Sequence, residues 1–290
     1  MYKYKRFMLI GLILSIALAT AGPLFSQNKK NKEKGLMPDP GLVSYTFRNS
    51  FSKDVPGTLD FIKSLGVTNM EFSSLFGKTA AELKQLLDER GIKCTSFGVG
   101  YADLVNKTDE VIQNAKTLGA KYVRVAWIPH DKPFTIDQAK KAIEDFNKAG
   151  KILHENDLFF CYHNHGYEFS PYEDGTIFDY IVKNTNPNYV SFEIDILWVT
   201  HPGHDPVALM KKYPKRFRLM HLKDLKEGVV GDFTGGTPRE NDVRLGTGQI
   251  DIPAVLKAAK KTNIEHYYIE DESDDVHIRV PESIKYLKSL

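Results

Sequence analysis

The sequence predicts an α/β protein, a single (β/α)8 TIM barrel preceded by an N-terminal signal peptide. Three observations carry that expectation. Eight apolar, β-branched or aromatic segments follow one another after residue 40, separated by stretches with helical spacing. The alternation fills residues 41–290, close to the roughly 250 residues that a closed parallel barrel needs. The first segment runs into SYTFRNSF and lacks the glycine-rich phosphate turn expected of an open dinucleotide-binding sheet.

The eight candidate strands are GLVSYTF (41–47), VTNMEF (67–72), IKCTSFGV (92–99), KYVRVAWI (121–128), LFFCYHN (158–164), YVSFEIDIL (189–197), FRLMHLK (217–223) and EHYYIED (265–271). Between them, PGTLDFIKSLG sets Leu59, Ile62 and Leu65 on one helical stripe, and TAAELKQLLDERG sets Leu83, Leu86 and Leu87 on another. Gly66, Gly91 and Gly119 stand where helices should stop before a short loop. TIDQAKKAIEDFNKAGKILHEN is the longest helical stretch; DGTIFDYIVKN, DPVALMKKY, IDIPAVLKAAKKTN and PESIKYLKSL supply the later ones. No linker or low-complexity tract divides this region, so one domain is expected.

The N-terminus reads differently. MYKYKR is followed by the apolar FMLIGLILSIALATAGPLF and then by the polar QNKKNKEKG. A basic start, an apolar run and a sharp polar boundary mark a secretory signal over residues 1–27, with 28–40 a polar lead-in. The Ala-Gly-Pro break favours cleavage over a retained membrane anchor, so the expected location is periplasmic, with no stable membrane insertion afterwards. The whole chain has 39 basic and 37 acidic residues; residues 1–26 hold Lys3, Lys5, Arg6 and no acid, which leaves 36 against 37, a net of −1. That balance disfavours a nucleic-acid partner. Cys94 and Cys161 fall in separate strands and read as buried free thiols.

A barrel gathers its chemistry at the C-terminal ends of its strands. Those ends carry Glu71, His130, His163, His165, Glu193, Asp195, His221, Lys223, Glu270 and Asp271. Charged groups at this density are unexpected in a purely structural interior. Asp195, His221 and Glu270 come from consecutive strands, and two carboxylates with an imidazole suit one divalent cation (Mn²⁺, Co²⁺, Zn²⁺ or Mg²⁺). The competing reading is a salt-bridged cluster that supports the barrel.

YHNHGYEF, EIDILW, MHLKD, LGTGQIDI and YYIEDES, in this order and each at a strand end or in the loop after it, together resemble the xylose-isomerase-like TIM barrels of the sugar phosphate isomerase/epimerase superfamily. The resemblance covers residues 41–290. It implies a divalent metal held by strands five to eight, with Asp195, His221 and Glu270 matching three of four usual ligands. The usual strand-five glutamate is absent. If Cys161 faces inward then so do His163 and His165, which makes His163 the first candidate for the vacant ligand position and Glu168 the second. Inosose-dehydratase-like members carry a similar His-x-His.

The resemblance implies a metal-dependent isomerase or epimerase acting on a small sugar or keto-sugar through an enediolate. Glu270, His163, His165 and Lys223 are then the catalytic candidates, and Trp198, Arg244, Glu71 and Glu168 the substrate contacts. A hydratase or lyase acting on 3-keto-glycosides or inosose-like rings is the alternative, since histidine in place of glutamate equally suits β-elimination. A non-catalytic sugar-binding barrel would leave the Asp195, His221 and Glu270 set unused. An endonuclease IV-like nuclease needs further histidines, whereas Asp195-Ile-Leu-Trp198 has tryptophan where that group has one. The sequence leaves room for an oligomer.

Overall fold

The structure is a computed structural model that describes Leu36 and residues 39–290. The expected signal peptide at 1–27 lies outside the described residues, as does 28–38 apart from Leu36. Eight strands form a closed barrel in sequential order: β1 (Gly41–Val43), β2 (Asn69–Phe72), β3 (Lys93–Gly98), β4 (Tyr122–Val125), β5 (Phe159–His163), β6 (Val190–Asp195), β7 (Phe217–Leu222) and β8 (His266–Ile269). Neighbouring strands pair in parallel all the way round, β1 closing on β8 through Gly41 with Tyr268 and Leu42 with Ile269.

A helix follows every strand: α1 (Val55–Ser64), α2 (Ala80–Asp88), α3 (Thr108–Leu118), α4 (Ile136–His154), α5 (Ile177–Asn184), α6 (Pro206–Lys212), α7 (Ile252–Ala259) and α8 (Val276–Ser289). Their starts are written in the sequence. Thr79, Thr135 and Thr176 each close a capping box with Glu82, Gln138 and Asp179, which satisfies orphan N–H groups of the first turn. Thr79→Ala is accordingly expected to lower stability by about 1 kcal/mol, read from the midpoint of denaturant unfolding. At the other end, Gly66, Gly91 and Gly119 adopt φ of 78°, 66° and 75°, the left-handed stop that favours glycine.

Two elements depart from the sequence reading. The first strand is only Gly41–Val43, and SYTF winds into a 3-10 turn. Ser44 there accepts a hydrogen bond from the Ser73 N–H at 2.8 Å, fastening the end of β1 to the loop after β2. The last helix begins at Val276, with Pro281 inside it. Proline reads as a helix start, but here Asp275 accepts from the N–H groups of Ile278 and Arg279 and nucleates the turn earlier.

Strand alternation sorts the side chains into two cores. The larger lies between strands and helices, where Phe146 of α4 meets Phe160 and Tyr162 of β5 at ring separations of 4.9 and 5.0 Å. The smaller fills the barrel's floor with Val43, Tyr122, Cys161, Leu219 and Tyr268. Cys161 therefore faces inward and Tyr162 outward, and both cysteines are free and buried. The register slips by one residue between Met70 and Glu71, opposite β3, and between Phe192 and Glu193, opposite β7. Such bulges re-aim side chains beside functional sites, and both fall at a buried carboxylate. No helix among the described residues is long and apolar enough to cross a membrane.

Candidate metal centre and active site

Above the apolar floor the barrel interior becomes polar. His163 at the end of β5, Asp195 at the end of β6, His221 on β7 and Glu270 just past β8 bring one ligand-type atom each to within 4.8 Å of one another. His163 Nε2 lies 3.1 Å from His221 Nδ1 and 3.4 Å from Asp195 Oδ2. Glu270 Oε2 lies 2.5 Å from His221 Nδ1.

Asp195 divides its work between two oxygens. After it the chain turns straight into a short helix, Ile196–Thr200, whereas the sequence pattern predicts strand as far as Leu197. Asp195 Oδ1 caps that helix by accepting from the Trp198 N–H at 3.0 Å. Its Oδ2 is buried, aimed into the cluster, and has no hydrogen-bond partner. A buried carboxylate oxygen without a donor is costly, and a divalent cation held by Asp195, Glu270 and the two imidazoles would relieve that cost. The donor set of two nitrogens and two carboxylates fits Zn²⁺, Mn²⁺ or Co²⁺.

A supporting layer holds His221. Its Nε2 lies 3.0 Å from Glu71 Oε1, which turns the Nδ1 edge of the ring toward the cluster, the carboxylate–histidine arrangement common behind bound metals. Glu71 also accepts from Ser96 Oγ at 2.6 Å and from Arg124 Nη2 at 2.6 Å. Burial would raise the Glu71 carboxyl, but Arg124 and His221 outweigh it and hold it well below the usual range. Glu193 lies 3.4 Å from Arg124 Nε and 3.3 Å from His221 Nε2; burial and then the Glu71 charge push it well above the usual carboxylate range. Glu71, Glu193 and His221 thus form a second set of ligand-type atoms, in which the cation is the Arg124 guanidinium.

A cavity of about 500 Å³ opens over the cluster, and His163, His165, Trp198, His221, Lys223 and Glu270 line it. Lys223 reaches Glu272 at 2.6 Å, Glu270 at 3.4 Å and Asp242 at 3.8 Å. Burial alone would lower this ammonium, but Glu270 and Glu272 dominate and keep it protonated. His165 stacks on Trp198 at 5.5 Å and meets His163 edge-on at 5.0 Å. Its Nδ1 is buried without a partner. Burial, and next His163, hold the ring well below its usual pKa, so it is a neutral imidazole.

Three residues expected at the substrate lie elsewhere. Glu71 is the layer beneath the cluster. Glu168 stays apart from the four ligand candidates: it accepts from the Tyr162 hydroxyl and from the His165 N–H at 3.0 Å, which orients the His-x-His loop. Arg244 pairs with Glu282 of α8 at 3.2 Å and does not line the cavity. The reason is loop anchoring: Asp224 Oδ2 accepts from the N–H groups of Gly246 and Gly248 at 2.9 Å each, and the Leu245 N–H reaches Ser283 at 3.2 Å. A Cβ at Gly248 would collide with the Leu225 carbonyl and Asp224, which explains the second glycine of LGTG. His130 stacks on Trp127 outside the cluster, and Asp271 accepts from the Ser273 N–H.

Arg124, Asp242 and Glu272 were missed. Arg124 did leave a signal, a lone charge two residues from Tyr122 in an otherwise apolar strand. Glu272 lies two residues beyond Glu270, but only the loop path brings it back to Lys223.

The Glu168 carboxyl is raised from 4.5 to about 7 by burial, despite the hydrogen bonds it accepts from Tyr162 and His165. The folded chain therefore keeps this proton to higher pH than the unfolded chain does. Its stabilising contribution is full below pH 4.5 and is lost as pH rises through about 7. Between those limits the difference in unfolding free energy between wild type and Glu168→Gln should drift in favour of the variant. A difference that is flat with pH would place the titration elsewhere.

Residues 59–290 match the family described as Xylose isomerase-like TIM barrel. The chain belongs to that family. Among curated relatives of this xylose isomerase-like barrel, the inosose dehydratase of Geobacillus kaustophilus is 24% identical over 266 residues, covering 79% of this chain and 86% of that protein. A sugar phosphate isomerase/epimerase from Parabacteroides distasonis has a crystal structure that matches with a TM-score of 0.70 at 25% identity, over 86% of this chain and 93% of that one. The IOLI protein, whose crystal structure holds a zinc atom, shares the fold with a TM-score of 0.68 at 15% identity, over 87% and 96% of the two chains.

Proposed function

We propose that this chain is a divalent-metal-dependent lyase that removes water from a keto-sugar or inosose-like ring. The observation that carries the reading is His165, a neutral imidazole with an unpartnered buried nitrogen beside the metal cluster. A cation held by His163, Asp195, His221 and Glu270 would supply the positive charge that favours enolisation of a ketone.

The chain's own groups do the rest. His165 takes the proton from the carbon next to the ketone, and the C–H electron pair moves to the carbonyl oxygen. Lys223, buried and protonated, donates a hydrogen bond to that developing charge. The enolate then collapses, the bond to the β-hydroxyl breaks, and the proton on His165 passes to the departing oxygen as water. Trp198 lines the cavity next to His165 and offers the ring an apolar face. One base suffices for this sequence, whereas epimerisation needs groups on opposite faces. Glu270, the other base expected from the sequence, has both oxygens engaged, one on His221 and one facing Lys223.

The inosose dehydratase relatives support elimination; the Parabacteroides structure supports the isomerase or epimerase reading, which shares the enolising step. Incubating the purified protein and Mn²⁺ with inosose-type ketones and 3-keto-glycosides in deuterated water separates them. Elimination predicts loss of one water by mass, with deuterium exchange beside the ketone. A deuterated product of unchanged composition would assign the isomerase reaction instead. The proposal also includes export: the basic start and apolar run of residues 1–27 support a cleaved signal and a periplasmic enzyme, testable by sequencing the N-terminus of the secreted form.

A further inference from the structure

The metal cluster and His165 occupy the side of the mouth formed by β5 to β8. Among the described residues, the side formed by β1 to β4 gives the lining no carboxylate or imidazole, and besides Arg124 it supplies Tyr45, Tyr101 and Trp127. Tyr45 and Trp127 are large aromatics left 42% and 39% exposed. Each has a backing: the Arg48 guanidinium lies 4.5 Å from the Tyr45 ring centre, and His130 stacks on Trp127 at 4.8 Å. Each ring is thus held in place while part of it stays open to solvent. Tyr101 is fixed by its hydroxyl, which donates to Asp145 at 2.6 Å.

Size and charge narrow what this half of the cavity receives. A volume of about 500 Å³ falls within the ~300–1,000 Å³ range that encloses drug-sized ligands, and a lone six-membered ring at the metal would leave much of it to water. Among the described residues, the arginine and lysine side chains in the lining each have carboxylate neighbours. Arg124 pairs with Glu71 and Glu193, Lys223 with Glu272 and Glu270, and Arg239 at the rim with Asp274 at 3.6 Å. Glu270 and Glu272 add carboxylates to the lining. At the aromatic end the Arg48 guanidinium beside Tyr45 donates to the Tyr45 and Glu272 carbonyls, so this wall offers ring faces before charge.

We infer that Tyr45, Tyr101 and Trp127 form a second subsite for an uncharged ring, so that the substrate is a neutral glycoside whose reacting ring lies at the metal cluster and whose second ring stacks on this aromatic wall. The inference deepens the lyase reading and rests on it for the position of the reacting ring. Sugar rings present C–H faces that pack on aromatic planes, while their hydroxyls remain wet.

Isothermal titration of the full chain with glucose, glucose 6-phosphate, maltose and cellobiose tests it. At least one of the two disaccharides should bind about tenfold tighter than glucose, and glucose 6-phosphate no tighter than glucose. Trp127→Ala should bring the disaccharide-to-glucose ratio toward one, and Tyr45→Ala should lower it. Equal affinity for glucose and both disaccharides, no measurable disaccharide binding, or a preference for the phosphate would overturn the subsite. The two readings fail separately. A Trp127-dependent disaccharide preference with no water loss from any ketone sinks the lyase and leaves the subsite. Water loss from free ring ketones with kcat/KM equal to that of glycosides sinks the subsite and leaves the lyase.

Discussion

Asp195→Ala is expected to abolish metal retention, taking the protein from roughly one divalent ion per chain to none after dialysis, with activity lost in parallel. Removing groups that merely support a ligand costs about 10–100-fold in affinity, and loss of a charged ligand should exceed that. The physical basis is the split role of this side chain: Oδ1 caps the Ile196–Thr200 helix and Oδ2 points unpartnered into the cluster. Asp195→Asn separates the two. It can keep the cap through its carbonyl oxygen while replacing the charged Oδ2 with an amide nitrogen, so it should fold as well as wild type and still fail to hold metal. Metal analysis and thermal unfolding on the two variants check this together. Full metal content in both would take Asp195 out of the ligand set, and no metal in the wild-type protein would return the cluster to the salt-bridge reading.

Arg124→Met should be the most destabilising single change in the barrel interior, at about 3–5 kcal/mol, because it leaves Glu71 and Glu193 buried without their shared cation. For a chain of this size that corresponds to a fall in Tm on the order of 10 °C. Glu71 is ionised in the folded protein because Arg124 and His221 overcome its burial. Without the guanidinium that ionised form loses its largest support, and His221 loses a well-defined partner on Nε2. The double variant Arg124→Met with Glu71→Gln removes the stranded charge and should recover part of the loss, a coupling read from a double-mutant cycle in urea. If the double variant is additive, the pair does not carry the interior's charge balance. Metal affinity should fall as well in Arg124→Met, since the ring that offers Nδ1 to the cluster is oriented through Glu71.

How much of the site the sequence disclosed depends on what kind of information each residue needed. Asp195, His221 and Glu270 were legible because parallel strands in register end at one rim, so strand-end polarity alone brings them together. His163 was legible once Cys161 was taken as inward, and the interior cluster of Cys161 with Tyr122 and Tyr268 bears that orientation out. Glu71 was seen as polar and inward, but its depth was not, because depth follows from the bulge at Met70/Glu71. Arg244 and Glu168 were expected at the substrate from the family resemblance of the loops that carry them. Loops follow their backbone hydrogen bonds, and here those run to Ser283, to Asp224 and to the His165 N–H.

The sequence by itself determined the barrel, its eight strands, and the rim at which chemistry collects, since hydrophobic period and strand length are local properties of the chain. Only the tertiary structure decided which carboxylate leaves an oxygen unpartnered in the cluster and which braces a histidine. That distinction turns on differences of an ångström or two in height and on which partner lies across the barrel. Arg124, a charge in mid-strand, reaches Glu71 across an intervening strand, and no pattern along either strand encodes that meeting.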